Sequence, residues 1–177
     1  MLRSVSDLKQ FTIAAMDGSL GSVSDLYFDD RSWAVRYLVV EGSTWLPSGR
    51  AFVPPDSLRS SDSNTLRVAL SKKQVDVCAM VNTEDVHLQT ATAVMGYAMQ
   101  AEDGAIGHVK DVLVDDKAWA IRYLVVDTEE WWEGKMVLVS PEWLAHATWD
   151  ESKTLFCLVT AADDSVAPRA RSRRLAG

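Results

Sequence analysis

The chain contains one stretch twice. Sliding the sequence by 86 positions (103 − 17) lays residues 103–126 on residues 17–40 with 14 identities in 24, far beyond chance for a sequence without low complexity. Asp17-Gly18, Gly21, Asp25 and Asp29-Asp30 recur as Asp103-Gly104, Gly107, Asp111 and Asp115-Asp116. Trp33 falls on Trp119, and "RYLVV" from Arg36 falls on "RYLVV" from Arg122. Whatever this chain folds into, it must build the same local structure twice within 177 residues, so each repeat has little more chain than a minimal core needs. The repeats are assigned to residues 1–80 and 87–167, with the apolar periodicity fading at the join, and residues 168–177 form a basic tail.

The signals inside each repeat favour strands. "FTIAA" alternates weakly, Asp17-Gly18 is a pair preferred by tight hairpin turns, and "GSVSDLYFDD" follows as a second strand. "WAVRYLVV" is rich in β-branched and aromatic residues, and "GRAFVPP" and "TLRVAL" complete about five short strands. No helix-period segment is long enough to cover a parallel sheet, so the pattern predicts a mainly β chain: two tandem small antiparallel barrels, each ending in a short helix. Helix starts are expected at Ser71 with Gln74 and at Thr160 with Asp163, where an N-cap oxygen and a reciprocal side chain meet free N–H groups. "SVSDL" offers Ser4 and Asp7 in the same relation.

The DG-x-x-G-x-V-x-D strand pair, the double aspartate and W-x-[VI]-RYLVV resemble PRC-barrel domains over both halves. That family takes its name from the cytoplasmic barrel of the photosynthetic reaction-centre H subunit, and a related barrel forms the C-terminal half of a ribosome maturation factor. The chain lacks the membrane-spanning helix of the first and the N-terminal domain of the second. The resemblance therefore implies tandem barrels acting as a docking or assembly body without a reaction of their own. It also suggests a subunit packed on the cytoplasmic face of a membrane complex such as a photosynthetic reaction centre, with a ribosome-associated factor as the rival.

Charge narrows the partners. The net charge is −7, and the tail "PRARSRRLAG" holds four arginines and no acid, leaving −11 on the rest (−7 − 4). An acidic body repels a phosphate backbone, which argues against nucleic acid. The tail arginines, Arg169, Arg171, Arg173 and Arg174, suit an anionic membrane surface or an acidic protein face, although the bland expectation is a solvated, disordered terminus. No apolar run approaches the roughly 20 residues of a membrane span, and "MLRSVSDLKQ" lacks the pattern of an export signal, so the cytoplasm is expected. Cys78 and Cys157 have no CxxC spacing and are read as small hydrophobes, as a reducing compartment allows.

Among groups that could carry chemistry, Arg36 and Arg122 share a strand face with leucine and valine, since Val35, Tyr37 and Val39 point one way and Ala34, Arg36, Leu38 and Val40 the other. Each then needs a carboxylate, and Asp25 and Asp111 on the preceding strand have the right charge, which predicts the structural ion pairs Asp25–Arg36 and Asp111–Arg122. Asp29-Asp30 and Asp115-Asp116 do not have calcium-loop spacing and are expected in turns. His87, His108 and His146 form no metal motif, and there is no nucleophile elbow or phosphate loop. No metal, cofactor or enzymatic activity is expected, unless a site with polar groups that differ between the copies lies between the two barrels. Tryptophan, seven in 177, is the remaining candidate: Trp45, Trp131 and Trp132 fall where a polar loop is expected, and either fold back over the barrel mouth or form a protein-binding patch. A homo-oligomer is also compatible with the sequence.

Overall fold

The first hairpin shows how local chemistry sets the register. In the computed structural model, which describes residues 1–42, 44–46, 49–78, 84–101, 104–128, 136–149 and 154–157, β2 (Thr12–Ala15) and β3 (Gly18–Asp29) pair with Ala15 opposite Gly18. The loop is thus Met16-Asp17, one residue earlier than the Asp17-Gly18 turn expected. Neither loop residue has positive φ, whereas Gly18 does, at 140°; the glycine absorbs the strained angle as the first strand residue.

β4 (Val35–Glu41) and β5 (Arg50–Val53) follow, then a 3-10 turn at Pro55–Ser57, β6 (Leu58–Asp62) and β7 (Thr65–Val68), with α2 (Lys72–Cys78) after them. The sheet order is β5-β4-β3-β2-β7-β6. The second repeat builds the same path: β9 (Ala98–Ala101), β10 (Gly104–Asp115), β11 (Ala120–Asp127), β12 (Met136–Val139), β13 (Leu144–Thr148) and β14 (Thr154–Cys157) lie in the order β12-β11-β10-β9-β14-β13. The duplication in sequence is a duplication of sheets.

Two features depart from a pair of closed antiparallel barrels. β2 runs parallel to β7, and β9 parallel to β14. Among the described residues each ladder is an open path, from β5 to β6 and from β12 to β13. The cause lies in the corner "PPDS". Pro54 and Pro55 lead into a single 3-10 turn, which bends the chain without reversing it. β6 therefore keeps the direction of β5 and crosses to the other edge, so β7 returns parallel to β2. "SPEW" does the same at Pro141–Trp143.

Each sheet also receives a strand from the other repeat. β1 (Leu2–Ser4) pairs with β10, and β8 (Leu88–Thr90) pairs with β3. Each of these strands leads into one helical turn, α1 (Val5–Leu8) and α3 (Ala91–Val94), whose N-cap is the expected Ser4 in the first case and Thr90 in the second. Val5 and Leu8 of α1, and Ala91 and Val94 of α3, are buried. The expected capping box at Ser71 is present: Gln74 accepts from the Ser71 N–H at 2.9 Å and Ser71 Oγ accepts from the Gln74 N–H at 3.3 Å. The helix expected at Thr160 lies outside the described residues.

The consequence is one hydrophobic core. A single cluster of buried side chains runs from Val5, Leu8 and Ile13 through Leu26, Phe28 and Leu38 to Met99, Val112, Leu124 and Val139. At its centre the loops before β4 and β11 meet. Ala34 bridges Ala120, the Val35 N–H donates to the Trp119 carbonyl at 2.8 Å, and the Ile121 N–H donates to that of Trp33 at 2.8 Å. Trp33 and Trp119 adopt left-handed φ of 58° and 48°, a strain of about 1–3 kcal/mol each that persists only when the surroundings determine it.

Candidate functional site

The double aspartates build the turns that bring Trp33 and Trp119 together. Asp29 Oδ1 accepts from the N–H groups of Arg31 at 2.9 Å and Ser32 at 3.0 Å, and the Trp33 N–H donates to the Asp29 carbonyl at 2.7 Å. Asp115 repeats this with the Lys117 N–H at 2.9 Å and the Trp119 N–H at 2.7 Å. The Ser32 N–H holds the Asp29 carboxyl below its ordinary value, against the opposing effect of burial and with help from Arg31. The Lys117 N–H does the same for Asp115. These are the turns expected from the sequence, and the second aspartate of each pair, Asp30 or Asp116, lines a cleft.

The predicted ion pairs take another form. Arg36 reaches Asp29 at 3.9 Å and Arg122 reaches Asp115 at 3.6 Å, both about half exposed at 53% and 51%, so Asp25 and Asp111 are not their partners. The reason is a β-bulge. Tyr27 faces Tyr37 and Phe28 faces Val35, so Arg36 is the extra residue; Arg122 is extra in the same way between Tyr123 and Ile121. A bulge resets which face a strand presents. Val35 and Leu38 both turn inward while Arg36 turns to solvent, and such exposed pairs contribute little.

Asp25 and Asp111 hold the interlock instead. Asp25 Oδ1 accepts from the Leu26 N–H at 2.8 Å and from the Thr92 N–H of α3 at 3.0 Å. Asp111 Oδ1 accepts from the Val112 N–H at 2.7 Å and from the Ser6 N–H of α1 at 3.4 Å. Each carboxylate thus satisfies a free donor at the start of the helical turn brought by the other repeat.

Two pseudo-equivalent clefts of about 490 Å³ flank the junction. Asp116, Lys117, Trp119, Asp56 and Leu58 line one, and their counterparts Asp30, Arg31, Trp33, Glu142 and Leu144 line the other. They differ where the repeat breaks down. Burial opposes ionisation of Asp116, but Arg3 Nε at 2.7 Å and the Met1 ammonium at 3.0 Å outweigh it and lower its carboxyl. Asp30, 9% exposed, is instead met by His87 Nδ1 at 3.1 Å. The wall on this side is aromatic. Trp33 stacks on Phe28 at 5.1 Å, and Trp149 packs against Phe28, Trp33 and Tyr97 at 6.3, 6.2 and 5.8 Å. Tyr97 donates its hydroxyl to the Trp149 carbonyl at 2.9 Å.

Of the loop tryptophans, Trp45 is folded in: it packs against the core and its ring lies 5.9 Å from Lys72 Nζ. Its indole N–H is buried with no partner among the described residues. Trp131, Trp132, Arg169, Arg171, Arg173 and Arg174 lie outside the described residues. Among the described residues no group of three or more His, Cys, Asp or Glu side chains could hold a metal ion, and no helix is long and apolar enough to cross a membrane. The sequence reading missed His87 and Trp149 as a site. The available signal was their position, in the join and in "ATWDES", where the second copy departs from the first. No family model matches the chain, and no curated protein matches it.

Proposed function

We propose that the chain is a non-enzymatic protein-docking module, two PRC-barrel-like repeats fused into one body, whose partner engages the cleft of Trp33, Trp149, His87, Asp30, Arg31 and Glu142. One observation carries this reading. Of the charged residues common to both repeats, Asp29 and Asp115 are spent on turns and Asp25 and Asp111 on helix starts, whereas His87 and Trp149, which have no like residue in the other cleft, line one of two clefts otherwise built from corresponding positions. Aromatic walls with a charged rim are the composition of a protein-binding hot spot. On this reading the chain serves as a soluble subunit on the cytoplasmic face of a membrane complex, as its resemblance to the reaction-centre H subunit suggests.

The test is capture from native membranes and cytosol by wild type and by two charge-reversed variants. Arg31→Glu with Glu142→Lys should abolish capture of a species that Lys117→Glu with Asp56→Lys, at the other cleft, still retains. Equal capture by both variants would refute the assignment. The His87–Asp30 contact favours a second reading, a small-molecule site at the same cleft. It predicts ligand-induced thermal stabilisation that His87→Ala removes, and a broad metabolite screen without one such shift would dismiss it.

A further inference from the structure

The two clefts have opposite charge. By formal charge at pH 7, with histidine counted as neutral, the cleft of Trp33 and Trp149 sets the carboxylates of Asp30 and Glu142 against Arg31. The cleft of Trp119 sets Arg3, Arg59 and Lys117 against Asp56 and Asp116. A basic segment is attracted to the first and repelled from the second. The last described residue also lies beside the first cleft: Cys157, at the end of β14, pairs across the ladder with Leu144, which lines that cleft. From Cys157 to Arg169 there are 12 residues (169 − 157), which reach about 40 Å when extended. A body of this size has a radius of gyration of only about 16 Å. The segment is therefore long enough to fold back over the wall it leaves from.

We infer that the basic segment 168–177 occupies this cleft intramolecularly, with its arginines over the indoles of Trp33 and Trp149 and against Asp30 and Glu142. The side chain suits the place, because a guanidinium stacks on aromatic faces, forks onto carboxylates, and is desolvated more readily than an ammonium. The inference rests on the cleft being the docking surface, and it makes the tail a competitor that a partner must displace. Because the tether supplies a high local concentration of the segment, even a weak contact of this kind is populated.

The experiment reads the indole N–H signals of Trp33, Trp149 and Trp119 by NMR in the full chain, without a partner. Changing Arg169, Arg171, Arg173 and Arg174 to Gln should shift the Trp33 and Trp149 signals and leave Trp119 in place. Glu142→Lys should give the same shifts, with no further change when the four substitutions are added. A synthetic peptide of residues 168–177 should restore the original positions in the Gln variant, and salt should reverse that restoration. Signals indifferent to the four substitutions, or Trp119 moving equally, would overturn the inference. Shifts that grow with protein concentration would also overturn it, because a second copy's segment would then be the occupant. Tail-dependent signals without capture would sink the docking reading alone, and capture with indifferent signals would sink only the tail.

Discussion

Leu8 is the side chain through which the interlock is best tested. It sits on α1 and is fully buried, and its helical turn packs on β10 of the other repeat. Leu8→Ala removes three carbons, or about 2.4 kcal/mol at 0.8 kcal/mol per buried methylene. The space left behind adds a cavity cost, for a total of about 3–4 kcal/mol. For a cooperative body of this length each kcal/mol lowers Tm by about 2–4 °C, so the midpoint should fall by about 6–16 °C. Urea unfolding followed by far-UV circular dichroism and by tryptophan fluorescence should shift as one transition, with m unchanged. A loss below about 1 kcal/mol would refute the reasoning. So would a variant in which a small early transition separates from an unshifted main one, since the arm would then be an ornament on an independent domain.

Three further outcomes follow from the same geometry. Gly107→Ala should destabilise the protein severely, because a Cβ there would lie 1.8 Å from the Asp127 carbonyl oxygen at φ of 155°; wild-type stability in a chemical denaturation series would contradict the close approach. Asp25→Ala should cost about 1 kcal/mol through loss of the α3 contact, whereas Arg36→Ala should change stability by less than about 0.5 kcal/mol, so equal losses would restore the abandoned Asp25–Arg36 pair. The carboxyls of Asp29, Asp115 and Asp116 are lowered in the folded state. Below the unfolded value of about 3.9 the unfolded chain binds more protons, so their stabilisation is present above that pH and disappears as pH falls through the folded values. Asp29→Asn should flatten the stability curve below about pH 4, and an unchanged acid limb would count against the turn.

The repeat made the duplicated sheet order legible, and the caps at Ser4 and Ser71 could be read from their spacing. The orientation of Arg36 could not, because a strict period of two assigns it inward and only cross-strand pairing reveals the bulge. The parallel β2–β7 pair was hidden because a run of short strands separated by turns reads as antiparallel throughout, whereas one 3-10 turn at Pro55–Ser57 keeps the direction of β5. The exchange of β1 and β8 between repeats was invisible because three-residue strands carry no periodicity. His87 and Trp149 were overlooked because attention to what repeats draws it away from the join and the insertion, where the two clefts become different.

The central claim is that two copies of one sequence fold as one body, and the amides of Val35 and Ile121 test it most directly. Each donates to a carbonyl of the other repeat. Native-state hydrogen exchange should give both the free energy of global unfolding, equal to that of the slowest core amides such as those of Leu38 and Leu124. Exchange of Val35 and Ile121 through a smaller opening, while the core strands of either repeat stay protected, would show two separable domains and contradict the account.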